Sequence, residues 1–466
     1  MSRRHNTKSW LAAGATLVVL PLSACAGVKA ADPAGSGSTC PSAPPGTTVN
    51  LSMTSWTPGA QQNVDYFNTH VGDTMNPRIH VTLNVVPGGN SGTYQAYSNQ
   101  IIAGNTGDIG MVEYPILPSY RLQQGLTNIA SCPGVAGARS DFSPASISAS
   151  EIGDPNALFG IPQDAGPLGL YYRKDLFAKY HIPVPATWQQ FAADAPKVKA
   201  AGGYIAGFQY GQPEWFEGLV WQAGGRWFTS TDKGWIVNLT DAASLKVADY
   251  WTNLVRNGDV GQEDTFSPAD WSDLGSGKLW TLIAPPWMSV LLATNSPASA
   301  RDWAVAPLPQ WSPGQTATGM WGGSDYAVWS TCKYPAQAAQ FLLWLETSTN
   351  ALTVNNTIGG QFPAYMPAVT TVPAMAQPLT VPGATTGKPV KYFGDQVIWD
   401  PFTHLHASPA WQAGPTQSQT DADFSTALAA FISGSGTIAD ALRSTQAKTI
   451  AAIQAQGLAV VQEGSH

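Results

Sequence analysis

The chain has 466 residues and a slight acidic excess, with 30 Asp plus Glu against 23 Lys plus Arg. Only 11% of its residues are charged, whereas Trp alone contributes 18 residues. The lack of a basic excess argues against a nucleic-acid partner, and 44% hydrophobic residues argue against a disordered chain. The length predicts about two or three domains.

The amino terminus is typical of an exported protein. Basic residues precede an apolar run over residues 10–22, which is too short to cross a bilayer. Leu22-Ser23-Ala24-Cys25 then matches the lipobox of bacterial lipoproteins, whose Cys receives a diacylglycerol. We expect a signal peptide over residues 1–24 and lipidation of Cys25; the alternative is an ordinary signal in which Cys25 is incidental. Residues 25–47, rich in Gly, Ser, Pro, Thr and Ala, are expected to form a flexible tether.

The next part of the chain alternates strand and helix patterns. Strands are predicted at 49–56, 79–86 and 108–112, and helices at 61–67 and 94–103. This order predicts a parallel sheet with helices on both faces, an α/β lobe. In such sheets ligands bind beyond the carboxyl ends of the strands. The candidate residues at those ends are Trp56, Glu113 and Tyr114.

The remainder of the chain repeats this style. Helix starts are predicted at Thr187, Thr240, Ser267 and Thr437, because each can cap the helix that follows. A further apolar helix is predicted at 336–345. Strands are predicted at 206–210, 279–284 and 303–306.

Three cysteines follow Cys25, so at least one thiol stays unpaired within the chain. They are Cys40, Cys132 and Cys332. No C-x-x-C spacing is present, which argues against a metal site or a thioredoxin-like redox motif. Of the three pairings that export permits, we favour Cys40 with Cys132, since both belong to the first lobe.

Several short phrases occur in a fixed order over the chain beyond the tether. They are Leu-Ser-Met-Thr-Ser-Trp at 51–56, Gly107-Asp108-Ile109, Ile161-Pro162-Gln163-Asp164, Leu-Tyr-Tyr-Arg-Lys-Asp-Leu-Phe at 170–177, Pro185-Ala186-Thr187-Trp188, Ala223-Gly224-Gly225, Pro285-Pro286-Trp287 and Trp321-Gly322-Gly323-Ser324. In this order and spacing the chain resembles the bacterial extracellular solute-binding proteins of the sugar type, relatives of the maltodextrin-binding proteins.

The resemblance implies two α/β lobes, each a mostly parallel sheet flanked by helices, with the ligand cleft between them. It implies chain crossings near residues 164–168, 321–326 and 371–379. Lobe 1 would then comprise 48–163 and 326–372, and lobe 2 would comprise 164–325 and 373–460. Closure of such lobes around a ligand is a hinge motion.

A sugar needs hydrogen-bonding carboxylates for its hydroxyl groups and aromatic platforms for its flat faces. On the first lobe the candidates are Trp56, Glu113 and Tyr114, although Trp56 could be a core residue and Tyr114 could simply cap the sheet. Asp164, beside the expected hinge, resembles the family's acidic sugar contact; its alternative is a loop-fixing turn.

On the second lobe the resemblance points first to Trp287, because related proteins stack a sugar on the matching Trp. The further candidates are Glu214, Trp215, Trp321, Gly323, Asp325 and Trp411. Glu217 is interpreted as solvent-facing. Trp188, Trp251 and Trp344 lie on predicted helix faces and are assigned to the core.

Other chemistry is poorly supported. Glu214 and Glu217 lie three residues apart on one predicted helix and need not straddle a scissile bond, as a glycosidase requires. No spacing indicates a metal, a cofactor or a nucleophile elbow.

The sequence and the resemblance therefore predict a monomeric, non-enzymatic receptor. It would be lipid-anchored at the extracellular face of the membrane, with no other membrane segment. It would pass a neutral sugar to an ABC importer, and the many Trp residues of the chain indicate that this sugar is an oligosaccharide. The alternatives are a ligand-sensing subunit of a membrane signalling protein and, less favoured, an extracellular glycosidase.

Overall fold

The computed structural model describes residues 40–86, 92–382, 388–407 and 411–461. The predicted signal peptide and the lipidation site Cys25 lie outside these ranges. The strands, in chain order, are β1 (Thr48–Ser55), β2 (Arg78–Val85), β3 (Ile109–Glu113), β4 (Gly160–Pro162), β5 (Gly169–Arg173), β6 (Phe228–Thr231), β7 (Gly234–Val237), β8 (Thr281–Ala284), β9 (Trp303–Pro307), β10 (Ala317–Thr318), β11 (Ser324–Val328), β12 (Thr380–Pro382), β13 (Pro389–Lys391) and β14 (His406–Ala407).

The α-helices are α1 (Ala60–His70), α2 (Thr93–Ala103), α3 (Leu117–Leu122), α4 (Val135–Ala138), α5 (Pro144–Glu151), α6 (Lys174–Lys179), α7 (Trp188–Ala200), α8 (Pro213–Gln222), α9 (Ala242–Arg256), α10 (Pro268–Ser276), α11 (Met288–Asn295), α12 (Pro335–Thr347), α13 (Thr349–Gly359), α14 (Ala368–Thr371), α15 (Asp400–Thr403), α16 (Gln417–Ile432) and α17 (Ile438–Ala455). Short 3-10 helices occupy Gly72–Thr74, Arg139–Asp141, Pro297–Ser299 and Pro373–Ala376.

Lobe 1 is built on a five-stranded sheet with the order β2-β1-β3-β11-β4. β1 pairs with β2 and with β3 in parallel, as the alternation of strands and helices predicted. β11 then inserts between β3 and β4 and is antiparallel to both, so the sheet is mixed. Every second residue of β1, from Val49 to Met53, is buried, and this face packs under α1 and α12.

Lobe 2 is built on a three-stranded sheet with the order β8-β5-β9, and both of its pairings are antiparallel. Parallel pairing among the described residues of this lobe comes from the short pair β10 with β14 and from isolated bridges such as Tyr204 with Leu279 and Gly207 with Gly261. The predicted strand at 206–210 is therefore wrong, because these residues bond singly to neighbouring chain segments without forming a ladder.

Most predicted helix starts are confirmed. Thr187 and Thr437 each form a capping box, and the Ser267 hydroxyl accepts a hydrogen bond from the Asp270 N–H. The helix at α9 is the exception, because its cap is Asp241, whose carboxylate accepts from the Ser244 N–H, and not Thr240.

The segment before β1 is attached to lobe 1 earlier than predicted. Cys40 is disulfide-bonded to Cys132, which is the favoured pairing, and Cys332 is a buried free thiol. The Ala43 N–H donates to the side chain of Gln337, 3.0 Å away, at the start of α12. Residues 40–47 are thus held to the body, and the predicted tether over 25–47 extends too far toward β1.

Candidate functional site

The chain crosses between the two sheets twice within one small region. β4 leads through Asp164 to β5, and β10 leads through residues 319–323 to β11. The Asp164 carboxylate accepts from the Ser324 N–H at 2.9 Å, and the Tyr114 hydroxyl donates to the Asp164 carbonyl at 2.9 Å. These bonds fasten the two crossings to each other and to the end of β3.

Tyr114 and Asp164 are consequently parts of the region where the chain crosses between the lobes. They are 1% and 5% exposed, so neither offers a free polar group to a ligand in this form. Burial raises the pKa of Asp164 to about 7, against the opposing hydrogen bond from Ser324. The interpretation of Asp164 as a loop-fixing residue fits this geometry better than the sugar contact.

Gly323 also belongs to this crossing region. Its φ is +97°, a conformation that side chains other than glycine rarely adopt. A Cβ at this position would lie 2.7 Å from the Tyr114 ring. Gly323 therefore permits the close approach of two backbone segments, and its assignment as a ligand contact is replaced by this packing role.

Asp325 lies in β11, inside the sheet of lobe 1, and is fully buried. Burial raises its pKa to about 8, opposed by a hydrogen bond with Ser150. This placement contradicts its assignment as a ligand contact of lobe 2, because every residue of β11 is covered on both faces of the sheet.

Lobe 1 presents a carboxylate and two rings at the ends of its parallel strands. The Tyr94 hydroxyl donates to Glu113 at 2.5 Å, and the half-buried Trp56 lies edge-on to the Tyr94 ring at 6.0 Å. Trp56 and Glu113 are therefore brought together as predicted, joined by Tyr94, which the sequence reasoning missed. Tyr94 lies in the first turn of the helix that follows β2. The strand-end rule, by which ligands bind beyond the carboxyl ends of the strands, could therefore have found it.

Lobe 2 presents α8, whose residues Glu214, Glu217 and Trp221 follow a helical spacing and therefore share one side. Glu217 is buried and accepts from the Trp411 indole N–H and from the Gln417 amide, both at 3.2 Å. Its predicted exposure to solvent is wrong. Burial raises the pKa of Glu217 to about 8, although the hydrogen bond from Trp411 lowers it.

Trp411 stacks on Trp221 with ring centroids 5.3 Å apart and planes inclined by 16°. Gln417 also donates to Asp421 at 2.8 Å, and its amide therefore bridges two carboxyl groups. The pKa of Asp421 is raised well above its usual value, mainly because burial removes water from its carboxyl group and also because of the nearby charge of Glu217. Asp421 and Gln417 were missed because α16 lies 200 residues from Glu217 in the sequence.

Carboxyl groups of the two lobes lie close enough for their charges to interact. A small cavity is lined by Pro115 of lobe 1 together with Glu214, Glu217, Gly322 and Trp411. The pKa of Glu214 is raised well above its usual value, mainly because burial removes water from its carboxyl group and also because of the charge of Glu113. Two acidic side chains of lobe 2 thus line this cavity, and Glu113 of lobe 1 lies close enough to affect the charge of one of them.

Close backbone contact holds α8 against this cleft. A Cβ on Gly319 would lie only 1.8 Å from the carbonyl oxygen of Gly218, so any side chain at this position would force α8 away. The two glycines fix Glu214 beside Gly322 at the second crossing.

An aromatic wall borders the same crossing. Trp287 and Trp321 meet at 5.2 Å with planes inclined by 68°, and the Trp287 indole N–H donates to the Trp321 carbonyl at 3.4 Å. Trp287 is half-buried, whereas Trp321 is 3% exposed and stacks on Phe266 at 5.9 Å. Phe266, which directly precedes a capped helix, was not predicted.

Trp215 does not belong to the cleft. It is fully buried, its indole N–H donates to the Ile283 carbonyl at 3.1 Å, and its ring meets that of Trp251 at 4.9 Å. The assignment of Trp215 as a ligand platform is therefore wrong, because it points to the opposite side of α8 from Glu217, into the core of lobe 2. Trp188 and Trp251 pack in the same core, as predicted.

The described part of the chain holds no group of three or more His, Cys, Asp or Glu side chains placed to bind a metal ion. Within the same residues, no helix combines the length and the apolar character that crossing a membrane requires.

Comparison with known proteins agrees with this architecture. The family model described as bacterial extracellular solute-binding protein matches residues 52–351. The chain belongs to this family. Its members are binding proteins and not enzymes. Among individual relatives, the lactose-binding protein of Rhizobium radiobacter is 25% identical over 284 residues, which are 59% of this chain and 64% of that protein. The chain thus spans somewhat less than two thirds of that relative.

Two solved structures show the same two-lobed fold. The galacto-N-biose/lacto-N-biose I-binding protein of the Bifidobacterium longum ABC transporter, in complex with lacto-N-biose, is 25% identical with a TM-score of 0.75, covering 89% of this chain and 100% of that one. The ABC transporter associated binding protein of B. animalis subsp. lactis, in complex with β-1,6-galactobiose, is 24% identical with a TM-score of 0.73, covering 89% and 99%.

Proposed function

We propose that this protein is a carbohydrate receptor that takes up a neutral oligosaccharide in the cleft and delivers it to an ABC importer. The observation that carries the proposal is a cavity lined by the carboxyl groups of Glu214 and Glu217 and by Gly322, which lies beside the half-buried Trp287 ring. Carboxyl groups bind sugar hydroxyls, and aromatic rings cover the flat faces of sugar rings. The sugar ligands of the related structures support this chemistry.

We further propose that the receptor acts as a monomer tethered by a lipid on Cys25. The lipobox at residues 22–25 supports this anchor. Cys40 is fastened to lobe 1, so residues 26–39 would span the distance from the membrane to the body. Mass spectrometry of the amino-terminal peptide from membranes tests the anchor, and a Cys25→Ser variant is expected to appear in the medium. A Cys25→Ser protein that stays in the membrane fraction would contradict the anchor.

The ligand class is tested with lactose, lacto-N-biose, β-1,6-galactobiose, maltose and maltotriose. A sugar present at 100 times its Kd stabilises the folded state by about 2.7 kcal/mol and so raises the melting temperature. We expect at least one sugar to do so and to change Trp fluorescence, and Trp287→Ala to abolish both effects. Trp344→Ala is the matched control, because Trp344 packs on Phe67 on α1, an outer helix of lobe 1.

The outcomes separate clearly. If no sugar of this panel shifts the melting temperature at millimolar concentration, the carbohydrate proposal fails. If sugars bind equally to the wild-type protein and to Trp287→Ala, the proposed position of the ligand fails. Product release during incubation with the sugar would instead indicate a glycosidase.

A further inference from the structure

Gln417 links two carboxyl groups of lobe 2. It is 1% exposed and lies at the start of α16. Its amide nitrogen donates to Glu217 on α8 at 3.2 Å and to Asp421 on α16 at 2.8 Å. Among the described residues, no Lys or Arg forms an ion pair with either acid. An uncharged amide, and not a cation, therefore holds the two carboxyl groups together.

The orientation of this amide is fixed from its other side. The Gly414 N–H donates to the side-chain oxygen of Gln417 at 3.1 Å, and the Gln417 N–H donates back to the Gly414 carbonyl at 3.1 Å. A Cβ on Gly414 would lie 2.3 Å from the Phe228 ring, so this turn packs closely against β6. Because the amide oxygen accepts from Gly414, the amide nitrogen must face the two carboxyl groups.

Glu217 is held without being used up as an acceptor. One of its oxygens accepts from Gln417, and the other accepts from the Trp411 indole N–H at 3.2 Å. An ionised carboxyl group can accept about four hydrogen bonds, so two acceptor positions remain. Glu217 lines the small cavity together with Glu214 and Gly322. The two bonds from the protein thus fix the carboxyl group at the edge of this cavity.

We propose that Gln417 is a positioning residue of the sugar site, which keeps the Glu217 carboxyl group in the orientation that binds ligand hydroxyls and keeps Asp421 beside it. Gln417 is buried and acts through Glu217, which lies at a sequence separation of 200 from it. Binding residues whose rotamers are fixed by supporting hydrogen bonds pay less to become ordered when the ligand arrives. The inference rests on the proposed carbohydrate function and adds a residue that sets its affinity.

The charged groups around Gln417 make the proposal sensitive to pH. The charge of Glu214 acts on Glu217, and the charges of Asp421 and of Glu113 in lobe 1 act on Glu214. A carboxyl group in place of the amide would therefore stand among acids. When ionised it has no donor, whereas when protonated it has one O–H donor. We therefore expect Gln417→Glu to bind sugar well only at low pH.

The test is titration calorimetry at pH 5 and pH 9 with the sugar that best stabilises the wild-type protein. Gln417→Glu is expected to bind at least tenfold more weakly than the wild-type protein at pH 9, and within about threefold of it at pH 5. Gln417→Met, which has no donor at either pH, is expected to bind about tenfold more weakly at both.

Gln419→Glu is the matched control. Gln419 also donates to an acid four residues further along α16, Asp423, at 3.3 Å, but this pair is exposed. Gln419→Glu therefore makes the same chemical change on the same helix away from Glu217. It is expected to bind sugar as the wild-type protein does at both pH values.

Three results would overturn the inference. Wild-type affinity in both Gln417 variants shows that Glu217 needs no support, while the receptor function stands. An equal loss in Gln417→Glu at both pH values shows that the change disturbs packing and not the arrangement of donors and acids. Absence of binding by the wild-type protein at both pH values removes the receptor function and this role with it. Melting curves show where each variant is folded, and Gln417→Met keeps the test decisive if Gln417→Glu does not fold.

Discussion

Replacing Trp215 by Ala distinguishes a core residue from a ligand platform. Trp215 was expected to stack on sugar, but the structure buries it completely against Trp251 and Phe208. Trp→Ala changes in cores cost about 3–5 kcal/mol. The Ile283 carbonyl also loses its hydrogen bond, which adds about 1 kcal/mol. We therefore expect Trp215→Ala to lower the free energy of unfolding by about 4–6 kcal/mol.

This cost converts to a modest change in melting temperature because the protein is large. Unfolding entropy is about 2.1 cal/mol/K per residue, so the compact unit Gly37–His466 gains about 0.9 kcal/mol/K if it unfolds as one. The expected drop is therefore about 4–7 °C. Trp287 is only half-buried, and Trp287→Ala is expected to cost about 1–2 kcal/mol, or about 1–2 °C.

The assay combines thermal unfolding with titration of the sugar that best stabilises the wild-type protein. Trp215→Ala is expected to unfold early but to bind that sugar within about threefold of wild type at a temperature where it is folded. Trp287→Ala is expected to show the reverse pattern. A Trp215→Ala protein with a wild-type melting temperature and no sugar binding would refute the placement of this residue in the core.

Three further changes test the crossing region and the packing of lobe 1. Gly323→Ala is expected to lower the free energy of unfolding by about 1–3 kcal/mol, measured by denaturant titration. Gly202→Ala is the control, because Gly202 has a similar φ but open space around its Cβ. Equal losses in the two variants would contradict a steric clash between the Cβ at position 323 and Tyr114. Burial raises the pKa of Asp325 to about 8, so the folded state holds a proton that the unfolded state has already lost. Stability should therefore fall between pH 5 and pH 8, and Asp325→Asn should reduce that fall; an unchanged slope would exclude this carboxyl group as its source. Replacing Cys40 and Cys132 by Ser removes a disulfide bond that closes a loop with a sequence separation of 92. This change is expected to lower the free energy of unfolding by about 2–5 kcal/mol, measured by thermal unfolding. An unchanged melting temperature would show that the disulfide bond contributes nothing to stability.

Local patterns predicted much of the fold. The alternation in β1 and β2 and the caps at Thr187, Ser267 and Thr437 depend on a few adjacent residues, so the sequence contains all the information they require. The segment at 206–210 has a strand-like composition but bonds singly to distant residues such as Gly261. Pairing of that kind leaves no local signature.

The site was harder to predict, for two physical reasons. Nearly every residue of α8 is buried, so the helix has no polar face to show that Glu217 turns toward the cleft and Trp215 away from it. Asp421 joins Glu217 through Gln417 only after the chain has folded back from α16. The strand-end rule, in contrast, placed Trp56 and Glu113 together, because it depends on sheet topology alone.

The short segment between β10 and β11 carries Trp321 of the aromatic wall and also forms one of the two crossings. If the lobes rotate about the crossings, the backbone next to this ring turns with them. Under the proposed function, ligand affinity and opening rate would then not be independent quantities. A substitution at residues 319–323 that tightens binding would also change how quickly the ligand is released, so selection for one property would constrain the other.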